Sequence, residues 1–134
     1  MHASTDSAID AHEITGAWQL VSYTATGADG VTHPLGTDPQ GLLIYTPQGQ
    51  MSAQVSGAGI YMGYAGTYEW HGDRVVHHTI VGSAPEWEGV DLPRSAECAG
   101  GLLILRADPS GGRPALAATW QRPAPTPHPS QWPR

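Results

Sequence analysis

Lysine is missing from this chain, whose 134 residues set six arginines against 12 acids for a formal charge of −6. Nothing supplies the basic stripe that phosphate backbones require, so nucleic acid is not an expected partner. Cysteine occurs once, as Cys98, which excludes an internal disulfide. No Cys/His cluster has zinc-site spacing, so no metal is expected either. No stretch approaches the roughly 20 apolar residues of a membrane span. The opening "MHASTDSAIDAHEIT" has no apolar core of a leader, and a soluble, cytoplasmic protein is the expectation. Nucleophile elbow, phosphate loop and dinucleotide fingerprint are all missing, so ATP, NAD and acyl-serine chemistry are not indicated and no cofactor is expected. A lone histidine is weak grounds for haem.

No segment sustains a helical period; glycine (17) and proline (12) instead punctuate short β-rich runs. Strands are expected over 16–26, 41–46, 50–56, 63–70, 74–82, 92–98, 102–107 and 114–122. Eight short strands in consecutive hairpins imply an all-β fold, an up-and-down antiparallel barrel that removes its sheet edges by closing on itself. The domain is placed at 13–122, after a flexible N-terminal segment (1–12) and before a Pro-rich, disordered tail (123–134).

Period-2 alternation sorts the side chains between the two faces of each strand. Trp18 and Trp120, on the first and last strands, are expected to plug one end of the barrel. Tyr64, Tyr68 and Trp70 share a face that lines or rims the interior. Arg94 falls on the side of Ala96 and Cys98, hence inward and near the mouth. "RVVHHTIVG" holds two adjacent histidines, only one of which can face inward. Val76, His78 and Ile80 form the bulkier set, so His78 is expected inside.

The segments "GAWQLVSY", "DPQGLLIYTPQGQMSAQ", "GYAGTYEW…GDRVVHH" and "EWEGVDLPR" give the chain a resemblance to the small bacterial lipocalin-like domain family, over about Glu13 to Arg122. That resemblance implies a ligand-holding barrel, often associated with natural-product pathways, where related barrels serve as cyclases or isomerases. Family members usually carry a longer, partly helical insertion where this chain has only "VSGAGIYM" (55–62). The short connection implies an open mouth, covered by Tyr61 and Met62 or by a second subunit in a homodimer.

The expected site follows. His78 would move a proton, and Arg94 or Tyr68 would polarise a carbonyl. Trp18, Tyr45, Met51, Tyr64, Trp87 and Trp120 would contact an apolar, oxygenated, polyketide-like small molecule. For each the plainer reading is structural: a packed histidine, a salt bridge from Arg94 to Glu86 or Glu88, tyrosines that only pack, and Cys98 as a small core residue. The leading expectation is a cofactor-independent cyclase or isomerase. The alternatives are a non-catalytic carrier with the same pocket, and an accessory protein with a solid interior.

Overall fold

The computed structural model describes residues 9–124, and the strands in it follow the turn signals. They are β1 (Gly16–Gly27), β2 (Gly30–Thr32), β3 (Gln40–Tyr45), β4 (Gln50–Gly57), β5 (Ile60–Trp70), β6 (Arg74–Gly82), β7 (Asp91–Ala99), β8 (Leu102–Ala107) and β9 (Ala115–Gln121). Every pairing is antiparallel between neighbours, and β1 joins both β3, through 16–19, and β9, through 19–26. That double pairing closes an eight-stranded antiparallel barrel. β2, absent from the expectation, pairs only with the last residues of β1 and stands outside the ring.

One connection differs from the sequence reading. The segment 55–62 is no loop: Gly57 pairs with Ile60, so β4 and β5 meet in a two-residue turn at Ala58 and Gly59. Both have positive φ (52° and 79°), the primed-turn geometry that matches strand twist. Tyr61 is therefore a strand residue, exposed, with its hydroxyl donating to Gln54 Oε1. It covers nothing.

One end of the barrel is sealed by a short helix, α1 (Ala11–Ile14), whose Ile14 is fully buried. Glu13 Oε1 accepts from the Asp10 backbone N–H at 3.0 Å, holding the first turn. The indole N–H of Trp18 donates to Ile14 O (2.9 Å), and that of Trp70 donates to Ile9 O (2.6 Å). Arg122 lies 3.8 Å from the Trp18 ring centre and donates to Glu13 O and Ala17 O. Residues 9–12, assigned by the sequence reading to a flexible segment, are thus tied to the barrel. Residues 1–8 and most of the expected Pro-rich tail lie outside the described residues. Trp18 and Trp120 are both buried (3% exposed each), on adjacent strands at this end.

The opposite end is uneven. β7 pairs with β6 through 91–95 but with β8 only through 95–99. β8 stops at Ala107, so 91–94 run on without a partner on that side. The rim has a notch there, between the start of β7 and the loop joining β8 to β9.

Candidate functional site

A cavity of about 640 Å³ fills the middle of the barrel and reaches the surface at the notch. Its walls carry Leu43, Ala53, Val55, Met62, Leu105 and Ala118, inward residues whose modest size leaves the space unfilled. Among the polar groups that interrupt this apolar wall are Tyr23, Tyr64, His77, Arg94 and Trp120.

His77, not His78, is the interior histidine. It is 1% exposed, whereas His78 sits on the outer face between two carboxylates: Nδ1 lies 2.6 Å from Asp91 Oδ1 and Nε2 lies 2.5 Å from Glu69 Oε2. The reason is register. Across the β5–β6 hairpin, Trp70 pairs with Val75 and Tyr68 with His77, and directly opposed residues share a face. The inward aromatic face of β5 therefore carries over to Val75, His77 and Thr79. Ile80, read as a core residue with His78, is 66% exposed. The tight "HGD" turn was the signal that could have set this register from sequence.

Both His77 nitrogens are engaged. Tyr45 Oη is 2.6 Å from Nε2 and Tyr64 Oη is 2.8 Å from Nδ1. Burial, and secondarily the charge of Arg94, push the His77 pKa down to about 3, so the ring is neutral and has one N–H to give. The direction of donation follows from burial. Tyr45 is 1% exposed and has no other side-chain partner among the described residues, so its O–H must go to Nε2. Nδ1–H then donates to Tyr64 Oη, and the Tyr64 O–H is released toward the cavity that residue lines. Burial raises the pKa values of Tyr23, Tyr45 and Tyr64, which keeps all three protonated as donors.

Arg94 points inward as the alternation implied, and its charge lowers the Tyr64 hydroxyl against the larger effect of burial. Its Nη1 donates to the carbonyl of Pro93 at 2.9 Å. The salt bridge weighed for it does not form: Glu86 is taken by Arg113 (3.1 Å), and among the described residues no carboxylate pairs with Arg94. Trp120 adds a buried indole N–H with no partner among the described residues.

Of the other expected site residues, Tyr64, Trp87 and Trp120 line the cavity, with the Trp87 ring edge-on to Tyr64 at 6.3 Å. Trp18, Tyr45 and Met51 do not, being packed into the core beneath it. Tyr68 is corrected too: its hydroxyl donates to Thr46 O (2.8 Å) and its ring packs on Tyr45 at 4.7 Å, so it is not a cavity donor. Cys98 is exposed rather than core. Tyr23, unnoticed in the sequence, reaches the cavity because a bulge between Leu20 and Ser22 shifts the alternation of β1.

The model of a family described as a lipocalin-like domain matches residues 15–60. A crystal structure of a lipocalin-like protein from Bacteroides uniformis superposes with a TM-score of 0.52 at 18% identity, covering 82% of this chain and 98% of that one. The fold is lipocalin-like. No curated protein matches it. In this lipocalin-like barrel the matched segment supplies β1 to the β4–β5 turn, which include Tyr23, Leu43 and Tyr45. Arg94, Tyr64 and His77 come from the part beyond it. The fold suits small-molecule binding. Among the described residues no helix is long and apolar enough to cross a membrane, and no cluster of side chains could hold a metal ion.

Proposed function

We propose that this protein binds an apolar, oxygenated small molecule in its barrel without transforming it. The observation that carries the reading is the set of donors turned into an apolar cavity: the Trp120 indole N–H, which has no partner among the described residues, the Tyr64 hydroxyl, and the Arg94 guanidinium, which bonds the adjacent Pro93 carbonyl and is neutralised by no described carboxylate. Buried donors without partners cost roughly 1–3 kcal/mol each, and a bound oxygen acceptor offsets that cost. The notch gives a route in.

The cyclase or isomerase reading expected from sequence asks more of the site. It needed His78 to move a proton, and His78 is outside. His77 is inside but neutral, with both nitrogens occupied. One observation favours keeping catalysis as a second reading: Tyr64 and Arg94 together could polarise a carbonyl and hold the charge of an enolate.

Titration with the neutral probe N-phenyl-1-naphthylamine tests the first reading. Saturable binding at about one probe per chain, with quenching of tryptophan emission through Trp87 and Trp120, is the expected result. Absence of saturable binding would overturn it in favour of a barrel that acts through its surface.

A further inference from the structure

The cavity specifies the polar end of its ligand. The chain is strongly acidic overall, yet four of its six arginines, Arg74, Arg94, Arg106 and Arg113, border the cavity and its notch, against two acids, Asp91 and Asp108. Arg106 is neutralised by Glu97 (2.8 Å) and Arg113 by Glu86 (3.1 Å), and Asp91 is turned outward to His78. Arg74 and Asp108 are exposed, which leaves Arg94 as the half-buried cation of the lining, with no carboxylate partner among the described residues.

An unpaired guanidinium on an apolar wall is a standing cost, since its desolvation is repaid only by an anion or several acceptors. The neighbouring groups are donors as well. The Tyr45–His77–Tyr64 chain delivers an O–H to the same region, and of the two acids bordering the cavity Asp91 is held by His78 and Asp108 is exposed. A neutral carbonyl would satisfy one donor and leave the charge uncompensated. A carboxylate has two oxygens for the guanidinium fork and lone pairs to spare for the Tyr64 hydroxyl.

We propose that the ligand is an apolar monocarboxylate, its carboxylate held by Arg94 and Tyr64 and its hydrocarbon body against Leu43, Leu105, Ala118 and Trp120. The inference rests on the binding reading above and names the ligand class for that site.

The test displaces N-phenyl-1-naphthylamine with a matched series: dodecanoate, dodecanol, methyl dodecanoate and dodecylamine, each below its aggregation concentration, at pH 8. Dodecanoate should displace the probe at least about tenfold more tightly than dodecanol or the ester, and dodecylamine should be weakest. Raising salt should weaken dodecanoate and leave dodecanol unchanged. Arg94→Gln should remove the preference for the acid while retaining probe binding, and Tyr64→Phe should reduce it by a smaller factor. Equal displacement by acid and alcohol in the unmodified protein overturns the carboxylate assignment whatever the variants do, and leaves the binding reading standing. A protein that binds neither probe nor dodecanoate, the latter followed directly by calorimetry, overturns both.

Discussion

Two adjacent histidines show how far one residue of register separates chemical fates. His77 is sealed in the interior with its pKa lowered to about 3 by burial, and His78 is on the outer face with its pKa raised by Asp91 and Glu69. Their contributions to stability therefore run oppositely with pH. For His77 the unfolded chain takes up a proton below about 6.5 and the folded chain does not until about 3. Its stabilisation is complete above pH 6.5 and drains away as pH falls through that window, by on the order of 4 kcal/mol. For His78 the stabilisation is complete below 6.5 and is lost as pH rises through its raised folded value. Replacing His77 by Gln should cost roughly 2–4 kcal/mol, because Tyr45 loses its acceptor in the core. It should also flatten the fall in urea midpoint between pH 7 and pH 4. His78→Gln should lower the midpoint by a small amount that is largest below pH 6.5, and so steepen that fall. The same acid slope in both variants would mean that neither ring titrates as its surroundings require.

Strand irregularities place the site as much as strands do. β6 carries one extra residue, Ile80, opposite the step from Ala65 to Gly66, so that Gly66 pairs with Thr79, Ala65 with Val81 and Tyr64 with Gly82, while Tyr64 keeps the inward face it shares with Tyr68. Gly66 makes that possible by lacking a side chain: a Cβ there would lie 1.9 Å from the His78 carbonyl oxygen, backbone that has no room to yield. Gly66→Ala should therefore destabilise the protein by more than about 2 kcal/mol, read as a drop in thermal or urea midpoint. It should weaken ligand binding as well, since Tyr64 and His77 flank the bulge. A neutral outcome would show that the two strands can slide apart locally. The bulge in β1 lies in the strand that carries Tyr23 and turns that residue inward, and neither bulge leaves a periodicity break strong enough to be read in advance.

For the molecule as a whole, the sealed end is what allows the other end to be open. The helix at 11–14 contributes Ile14 to the core and the Ile14 carbonyl to the Trp18 indole, and Ile9 just before it accepts from the Trp70 indole, so the barrel is stoppered without filling its middle. A chain that starts at residue 15 should lose at least about 3 kcal/mol in urea unfolding, from the missing Ile14 contacts and the orphaned Trp18 and Trp70 donors. An unchanged midpoint would show that the stopper is dispensable. The arginine distribution belongs to this scale too. Most of the sparse positive charge of an acidic chain is gathered around one cavity, and no strand taken singly displays that.

The sequence by itself determined the class and closure of the fold. Eight β-rich runs between glycine and proline turns leave few options other than a meander, and an exposed pair of edges would invite pairing, so the ends join. It also indicated that Arg94 faces inward, from the apolar pair Ala96 and Cys98 on its side of β7; Ala96 is buried as expected and Cys98 is exposed. Alternation within β6 did not determine which histidine follows the aromatic face, because both sets there are mixed and the pairing with β5 across the HGD turn decides between them. Nor could it show that Tyr68 bonds to Thr46 O while Tyr64 is free to face the cavity, since the two tyrosines sit on the same face of the same strand and differ only in depth. Local alternation fixes the side of a sheet on which a residue lies. Depth, partners and the resulting charge balance depend on which distant strands close around it, and those were decided by the tertiary structure.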